Sequence, residues 1–422
     1  MAARRTLAEC TVGLGVTGSI AAYKSAAIVR LLTKSGIRVP VIMTRAATRL
    51  ISPDTLATLS GLPVATEIFP PRSGSSPEMA HLETGQSVDL MLVAPATANI
   101  IGKVAAGIAD DLLSTAIMAC NQPVLFAPAM NERMWTNPIV QRNVATLQER
   151  GYQFVGPEEG ELACREAGTG RMVAPETAVD RALQILLSRL EGLRILITTG
   201  PTEEPVDAVR VLANRSSGKM GVRIAEAARD RGHRVTLVAG PLHCAAPLGV
   251  ERIDVTTAAE MQRVLEETEA GAEILIMAAA VADYRPAHPE QGKIRSGAQQ
   301  WDLRLTRNPD ILARIAPPRA ERGAVTIGFA LEVGEGGEER AMQKLKSKGL
   351  DMIVLNDATR PDSAFGAETT QPAFLFADGR IEHLPLLSKA DAGLAVIEGA
   401  EVLHGLKSNK AAKGVGTSAK TS

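Results

Sequence analysis

Apolar and amphipathic segments alternate along most of this 422-residue chain. In the first half, runs rich in Val, Ile and Leu occupy 11–16, 37–43, 88–94, 123–127 and 152–155. Segments with helical spacing lie between or after them, notably 19–34, 136–149 and 176–190. Continuous apolar strands interleaved with helices predict a parallel sheet that helices cover on both faces.

The second half repeats this order of elements. Its apolar runs occupy 193–199, 234–239, 273–279, 324–330 and 352–356. The segments 373–376 and 381–384 flank Ala-Asp-Gly-Arg and predict an antiparallel hairpin. The pattern therefore predicts an α/β protein with two Rossmann-like doubly wound parallel-sheet domains, the second with a small hairpin extension.

The predicted domains are residues 1–190 and 191–405. Beyond them, 406–422 is rich in Lys, Ala, Gly and Ser without periodicity, which predicts a disordered tail. Each domain begins with a strand that leads to a Gly/Ser/Thr-rich loop and a helix. Backbone N–H groups and the helix dipole make such a helix start an anion site, so both halves are predicted to bind nucleotides or phosphates.

The composition of the chain argues against several classes of function. The net charge of −1 and 3% aromatic content argue against a nucleic-acid binder, and no apolar run is long enough to span a membrane. The four scattered cysteines contain no C-x-x-C pair, which argues against a Cys-based metal site and favours a cytoplasmic location. No signal peptide is predicted.

The first loop contains Gly13-x-Gly15-x-x-Gly18, followed by Ser19 and Ile20. This matches the dinucleotide pattern, but the second strand ends in Thr44-Arg45 without the acidic residue that would bind an NAD ribose. The motif therefore favours a mononucleotide.

Polar residues at later strand ends each have two interpretations. Thr97 and Asn99 follow an apolar strand and could bind a flat ring or cap the next helix. Asn131 could contact substrate or form a turn. His81 could transfer a proton or be solvated, while Cys164 lies in a Gly-rich, Arg-containing loop that could act as a flap.

Together these motifs resemble the FMN-dependent phosphopantothenoylcysteine decarboxylases, which have a flavodoxin-like domain. The resemblance rests on 18–24, His81, 94–99, 128–131 and the Cys164 loop. It implies that His81 is a base, Asn131 contacts the substrate carboxylate and Cys164 donates a proton. It further implies FMN binding by Gly18, Ser19, Ile20, Thr44, Thr97, Asn99 and Ser114. The flavin would oxidise the thiol to a thioaldehyde, which then serves as the electron sink for loss of CO2.

The second half contains a further possible anion cradle, Asn214 to Gly221, which is not a Walker A loop. Asp283 could hold Mg2+ or a nucleotide, or cap a turn, and Lys293 is ordinarily a solvated charge. These segments resemble the phosphopantothenate–cysteine ligases in the form fused to the decarboxylase in bacteria.

This second resemblance implies that Asn214 and Arg210 engage an acyl-nucleotide and that Lys293 stabilises phosphoryl charge. It implies a CTP site formed by Ala279, Asp283, Asn308, Pro309, Asp310, Ile311, Phe329, Lys344 and Lys348, with Mg2+ held through the CTP phosphates. Arg295 and Ser296 stand where the family often has lysines.

The two resemblances imply consecutive steps of coenzyme A biosynthesis, ligation of cysteine to 4′-phosphopantothenate and decarboxylation of the product. The family further implies a homo-oligomer, a dodecamer with trimers through the FMN domain and dimers through the ligase domain. The alternatives are a flavin prenyltransferase-like enzyme and a catalytically silent flavin-fold regulator. His81, the 128–131 segment and Cys164 argue against the first alternative, and the presence of both His81 and Cys164 argues against the second.

Overall fold

The structure is a computed structural model that describes residues 4–68, 87–161, 167–295, 301–357 and 367–418. The chain divides into two compact units, Met1–Leu190 and Glu191–Ser422. Both are α/β units built on a central sheet, and the prediction of two doubly wound domains is confirmed.

The first unit contains a six-stranded parallel sheet in the order β3-β2-β1-β4-β5-β6. Its strands are β1 Val12–Val16, β2 Val41–Met43, β3 Val64–Ala65, β4 Leu90–Ala96, β5 Val124–Pro128 and β6 Gln153–Phe154. A separate antiparallel hairpin pairs β7 Glu158–Glu161 with β8 Ala167–Arg171. The sheet order reverses between β1 and β4, where doubly wound folds bind ligands at the carboxyl ends of the strands.

Helices cover this sheet. They are α1 Lys24–Lys34, α2 Pro53–Ser60, α3 Ala98–Ala105, α4 Leu112–Ala119, α5 Glu132–Trp135, α6 Pro138–Glu149 and α7 Pro175–Arg189, with 3₁₀ turns at Leu7–Glu9, Ile20–Tyr23 and Ala47–Arg49. All residues of β1, β4 and β5 are buried, as continuous apolar strands between two helical layers require.

The second unit has an eight-stranded sheet in the order β13-β12-β9-β14-β17-β18-β20-β21. Its strands are β9 Arg194–Thr199, β12 Arg234–Ala239, β13 Glu251–Asp254, β14 Ile274–Met277, β17 Val325–Glu332, β18 Met352–Asp357, β20 Ala373–Phe376 and β21 Ile381–His383. The first six strands in this order pair in parallel, whereas β20 and β21 form the predicted antiparallel hairpin. The order reverses between β9 and β14, which is the switch point of this unit.

The remaining strands of this unit form three small antiparallel pairs. They are β10 Glu203–Pro205 with β11 Val211–Ala213, β15 Tyr284–Pro286 with β16 Leu305–Arg307, and β19 Thr369–Thr370 with β22 Leu387–Ser388. The helices are α8 Lys219–Asp230, α9 Ala258–Thr268, α10 Ile311–Glu321, α11 Gly337–Lys348 and α12 Lys389–Ser418, with a 3₁₀ turn at Glu269–Gly271.

The two faces of the second sheet carry separate cores. One core joins Ile195 and Ile197 to Ile224 of α8 and Val396 of α12. The other joins Leu196 to residues of α10 and α11, including Leu312 and Leu345. Alternate residues of β9 therefore point to opposite faces, and α8 and α12 lie on the face opposite to α10 and α11.

Several details differ from the sequence prediction. The run 37–43 forms a strand only from Val41, because Pro40 has no N–H for a ladder. The short β3 and the polar edge strand β13 were not predicted. The helix α12 continues through 406–418, where a disordered tail was predicted, and Lys407 donates to Ala324 O at 2.7 Å. Within the described residues, no helix combines the length and apolar character needed to cross a bilayer.

Candidate active sites at the two switch points

The turn after β1 is tied to the loop after β4 by one buried threonine. The Thr17 hydroxyl donates to Pro95 O at 2.7 Å and accepts from the Thr97 N–H at 3.1 Å. One residue into α1, the Ser25 hydroxyl donates to Ala94 O at 2.9 Å. These bonds hold together the two loops at the switch point of the first unit.

Gly18 makes the close approach that this turn needs. A Cβ atom there would lie 2.4 Å from the Ala46 Cβ, so only glycine allows the turn to reach the loop after β2. Ser19 caps the following 3₁₀ turn by accepting from the Ala21 N–H, and Thr44 accepts from the Ala47 N–H at 3.3 Å. The predicted residues Gly18 and Ser19 thus lie in a turn at a helix start, which is a place that suits a phosphate group, and the turn packs against the loop that contains Thr44.

Lys24 anchors the same helix start. Its ammonium is buried and donates to Met172 O at 2.6 Å and to Val173 O at 3.1 Å. Burial lowers the pKa of Lys24. Sequence reasoning gave this lysine no role beyond membership of the motif, although a lysine in the first turn of a buried helix is an unusual choice.

Two of the predicted flavin contacts act as helix caps. Thr97 caps α3 by accepting from the Ile100 N–H at 3.5 Å, and Asn99 is exposed in the first turn. Ser114 is fully buried and shares a capping box with Asp111, whose carboxylate accepts from both the Ser114 N–H and the Ser114 hydroxyl. The Thr97 N–H donates to the Thr17 hydroxyl, one residue before the Gly18 turn, whereas the Ser114 hydroxyl is engaged by its own helix.

Asn131 lies at the carboxyl end of β5 and packs beside the β7–β8 hairpin. Its side chain caps α5 by accepting from the Arg133 N–H at 2.8 Å. The preceding Met130 N–H donates to Gly170 O at 3.0 Å, and a Cβ at Gly170 would lie 2.3 Å from Met130 O. The glycines of β8 therefore let the hairpin pack directly on the Asn131 turn.

The two predicted proton-transfer residues, His81 and Cys164, lie outside the described residues. Cys164 falls in the sequence between β7 and β8.

The second unit has a cavity of about 600 Å³ at its switch point. Three segments and five single residues line it: Asn214 to Gly221, Ala278 to Val281, Phe329 to Leu331, and Asp283, Lys344, Asn356, Thr370 and Lys389. Predicted residues Asn214, Ala279, Asp283, Phe329 and Lys344 thus meet in one cavity, from segments far apart in the sequence.

Threonines and glycines at the end of β9 shape this cavity. The Thr199 hydroxyl donates to Gly218 O at 2.7 Å, and Gly218 has a φ of 72° that favours glycine. A Cβ at Gly221 would lie 2.4 Å from the Thr199 hydroxyl oxygen. The start of α8 therefore packs against β9 closely enough to bring the Asn214–Gly221 loop to the switch point.

Hydrogen bonds hold the predicted side chains in place. The Asn214 amide donates to Val281 O at 3.0 Å, and the Lys344 ammonium donates to Phe329 O at 2.9 Å. Burial, with a smaller contribution from the like charge of Lys348, lowers the pKa of Lys344. A partly desolvated cation is well suited to bind a phosphoryl group.

The segment 308–311 supports the cavity from outside. Asn308 is buried, donates through its amide to Ala282 O at 2.8 Å, and donates its N–H to Asp283 O at 2.8 Å. Asp310 caps α10 and forms an ion pair with Lys348 at 2.7 Å. Pro309 is exposed and Ile311 is buried in the core. These residues lie next to the cavity, but they are not part of its lining.

Asp207 joins the segments of two predicted site residues, and the sequence analysis did not single it out. Its buried carboxylate accepts from the N–H groups of Val209, Arg210 and Ile294 and pairs with the Arg210 guanidinium. Burial alone would raise the pKa of Asp207, but these donors outweigh it and lower the pKa to about 2. Ile294 follows Lys293 in the sequence. The Asp207 carboxylate therefore connects the segment of the predicted residue Arg210 to that of the predicted residue Lys293. In the sequence, the Asp-x-x-Arg spacing of Asp207 and Arg210 is the feature that could have predicted their ion pair.

Lys293 is exposed and, like Arg210, does not line the cavity. Among the residues that the structure describes, no cluster of His, Cys, Asp and Glu side chains is arranged to hold a metal ion. Binding of Mg2+ through a nucleotide remains a prediction.

Comparison with known proteins bears on both units. A family described as flavoprotein matches residues 1–187, and the DNA/pantothenate metabolism flavoprotein C-terminal domain matches 190–402. The chain is 42% identical over 398 residues to the Coenzyme A biosynthesis bifunctional protein CoaBC of Escherichia coli (strain K12), which covers 93% of this chain and 97% of the relative. It is 40% identical to the protein of the same name from Vibrio parahaemolyticus, over 93% of this chain and 98% of the relative. Among solved structures, the C-terminal domain of a CoaBC protein matches with 35% identity and a TM-score of 0.43, over 50% of this chain and 95% of that chain.

Proposed function

The chain belongs to the family of bifunctional coenzyme A biosynthesis proteins, and we propose that it catalyses two consecutive steps of that synthesis. The second unit ligates cysteine to 4′-phosphopantothenate, and the first unit decarboxylates the product to 4′-phosphopantetheine. The observation that carries the ligase half is the cavity at the β9/β14 switch point, where Asn214, Asp283, Phe329 and Lys344 meet. Relatives of this name align over nearly the whole chain, which disfavours the prenyltransferase-like and regulatory alternatives.

In the proposed ligase reaction, the substrate carboxylate attacks the α-phosphorus of CTP. Pyrophosphate leaves, and an acyl-cytidylate forms. The amine of cysteine then attacks the acyl carbon, CMP leaves, and the amine loses a proton. Negative charge develops on the phosphoryl oxygens in the first step, so fixed cations accelerate it. Lys344 supplies such a charge within the cavity, while Asn214 presents an amide to the intermediate.

Nucleotide binding by the second unit follows from the same elements. Asp283 directly precedes β15 in the segment that follows β14, and Asn308 holds the backbone of this segment in place. Lys348 is oriented by its ion pair with Asp310. We assign CTP, with Mg2+ held through its phosphates, to this side of the cavity. We assign Arg210 to the acyl-nucleotide and Lys293 to the phosphoryl charge, from the two segments that Asp207 joins outside the cavity lining.

FMN fits the first unit, because the Gly18 turn and the helix start that follows it lie at the switch point, where a Cβ at Gly18 would lie 2.4 Å from the Ala46 Cβ and displace the turn. Gly18, Ser19 and Ile20 would hold its phosphate, with further contacts from Thr44 on the loop after β2 and from Thr97 and Asn99 at the start of α3. Bound there, FMN supplies reversible hydride transfer with the thiol-bearing carbon of the substrate. The chain supplies the rest, with Asn131 for the substrate carboxylate, His81 as base and Cys164 as proton donor.

Ser114 contributes by fixing the start of α4 rather than by a free hydroxyl. The substrates are small molecules, and we propose a homo-oligomer, a dodecamer with trimers through the first unit and dimers through the second.

A reaction without cysteine tests the ligase half. With 4′-phosphopantothenate, CTP and Mg2+, the enzyme should release pyrophosphate and accumulate the acyl-cytidylate, which mass spectrometry detects. Replacing CTP with ATP measures the nucleotide preference. Failure to form any acyl-nucleotide, with the protein folded, would overturn the assignment of the second unit.

A further inference from the structure

The hairpin of β10 and β11 reaches the cavity of the second unit at one end. The Thr202 hydroxyl, just before β10, accepts from the Ala282 N–H at 2.9 Å. The Asn214 amide, just after β11, donates to Val281 O at 3.0 Å. The two cores described above contain no residue of this hairpin, so its position depends on polar contacts.

The turn at the other end contains the buried carboxylate of Asp207, whose two oxygens have different partners. Oδ1 accepts from the Val209 N–H at 2.8 Å and from the Arg210 N–H at 2.7 Å, which closes the turn itself. Oδ2 accepts from the Arg210 guanidinium and, at 3.1 Å, from the N–H of Ile294, 87 residues further along the chain. The local turn thus uses only Oδ1, whereas Oδ2 connects it to a distant segment.

The Arg210 guanidinium is held by several groups at once. Its Nη1 donates both to Asp207 Oδ2 and, at 3.3 Å, to Ile294 O. Because the Ile294 N–H donates to the same Oδ2, these contacts close a ring of hydrogen bonds. The guanidinium carbon also lies over the Trp301 ring, 5.9 Å from its centroid, which is within the range of a cation–π contact. Arg210 and the backbone next to Lys293 therefore share one arrangement.

The two cations that this network connects, Arg210 and Lys293, are both exposed to solvent. An exposed cation on a flexible stem samples many rotamers, and fixing it on a phosphoryl group costs conformational entropy. A cation that the fold has already arranged avoids part of this cost and stabilises developing charge more strongly. Asp207 itself lies outside the cavity lining, so its influence on the reaction has to pass through these two residues.

We propose that Asp207 is a positioning residue of the ligase reaction. Its Oδ2 fixes the Arg210 guanidinium together with the backbone from which the Lys293 side chain extends, so both cations are arranged before the acyl-nucleotide forms. Trp301 restricts the remaining freedom of the guanidinium. This inference rests on the proposed ligase function and deepens it, because it names the residue that aligns the two cations.

The Asp207→Asn variant removes the charge with little change in shape. An asparagine amide has one acceptor oxygen, so in either orientation the two donors on one side lose their acceptor and face an NH2 group. We expect kcat for acyl-cytidylate formation to fall about 10-fold to 100-fold, because displaced cations stabilise the transition state less. KM for CTP and for 4′-phosphopantothenate should change less than about 3-fold, since the cavity itself is unchanged.

A second variant and a double-mutant cycle separate positioning from a structural role. Ile294→Pro removes the N–H that Oδ2 accepts from and leaves both bonds of Oδ1 in place, so it should lower kcat in the same way. The effect of Asp207→Asn should be at least about 3-fold smaller in the Lys293→Gln background, because residues that act as a unit are not additive.

Hydrogen exchange of the peptide that contains Ile294 tests the same contact in the full chain without substrate. Asp207→Asn should speed exchange of this peptide at least about 10-fold, whereas the peptides of β9 and β14 should exchange as in the wild type. Asp378→Asn is the matched control, because Asp378 lies in the turn of the β20–β21 hairpin and accepts from the Arg380 N–H at 3.0 Å. This control should change neither the exchange at Ile294 nor the ligase kinetics.

Three results would overturn the positioning role. In the first, Asp207→Asn or Ile294→Pro speeds exchange near Lys293 but leaves kcat unchanged. In the second, KM for both substrates rises while kcat is retained, which would indicate a role in substrate binding. In the third, Asp207→Asn has the same effect with and without Lys293→Gln, which would indicate a structural role. A wild type that forms no acyl-nucleotide would overturn the ligase assignment together with this proposal, whereas an active wild type with an unaffected Asp207→Asn variant would overturn the proposal alone.

Discussion

Glu401 connects the C-terminal helix α12 to the first strand of the second unit. Its carboxylate accepts from His233 Nε2 at 2.7 Å and from the Arg231 guanidinium at 2.6 Å. His233 is fully buried, and its Nδ1 accepts from the Leu193 N–H at 3.1 Å. The two bonds of His233 require a neutral ring with the proton on Nε2. Removing the charge of Glu401 should therefore weaken the attachment of α12 to β9.

The electrostatic environment gives the magnitude for Glu401→Gln. Burial alone would raise the pKa of Glu401, but His233 and Arg231 outweigh it and lower the pKa to about 2. The fall of the pKa from 4.5 to about 2 corresponds to about 3 kcal/mol, and partial solvent screening reduces this to about 2 kcal/mol. Glutamine retains one acceptor for His233, so we expect a loss of about 1–2 kcal/mol in the free energy of unfolding.

The pH dependence identifies the cause of this loss. The folded-state pKa lies below the unfolded value of 4.5, so the stabilisation is fully present above about pH 5. It is lost as the pH falls from about 4.5 towards 2. The difference between wild type and Glu401→Gln should consequently be largest near pH 7 and shrink progressively below pH 4.5.

Hydrogen exchange of the peptide that contains Leu193 measures this difference in the intact chain. Glu398→Gln is the matched control, because Glu398 is more exposed and lies 3.4 Å from Arg231, so it should cost less than about 0.5 kcal/mol. An effect of Glu401→Gln that is equal at pH 7 and pH 3.5 would refute the electrostatic explanation. Equal effects of the two variants would refute the specific role of Glu401 in attaching α12 to His233 and Arg231.

Three further predictions concern the reactions. Gly18→Ala places a Cβ against Ala46 and should lower the FMN content of the purified protein at least about 10-fold. Flavin absorbance after gel filtration measures this content. The control variant Gly102→Ala, whose added Cβ would have no neighbour closer than 3.6 Å, should retain FMN. His81→Asn should abolish CO2 release and leave ligation intact, and equal loss of both activities would contradict two separate sites. Lys293→Gln should slow acyl-cytidylate formation about 10-fold or more in pre-steady-state measurements. Unchanged ligase kinetics would remove the role of Lys293.

The two sheets could be predicted from the sequence because each strand is recognisable from its own run of apolar residues. Continuous apolar strands such as 88–94 and 273–279 have few alternatives to a buried parallel sheet, and the helices between them fix the order. The edge strand β13 was missed because Glu251–Asp254 is polar and exposed. The extent of α12 was missed since its last part lacks an apolar periodicity.

The sites were predicted less completely, because their geometry depends on distant segments. Sequence alone could not decide whether Thr97 binds a ring or caps a helix, and the structure shows the cap. Asp207 resembles an ordinary turn residue until the fold brings the Ile294 N–H to its carboxylate. Similarly, Lys219 and Lys389 lie 170 residues apart and meet only because α8 packs on α12.

The central claim is that one chain joins cysteine to the phosphorylated acid and then decarboxylates the product. Mass spectrometry of a reaction with the FMN-loaded protein, 4′-phosphopantothenate, cysteine, CTP and Mg2+ tests it most directly. We expect 4′-phosphopantetheine together with CMP and pyrophosphate. Accumulation of 4′-phosphopantothenoylcysteine without decarboxylation would contradict the role of the first unit, and no product mass at all would contradict both assignments.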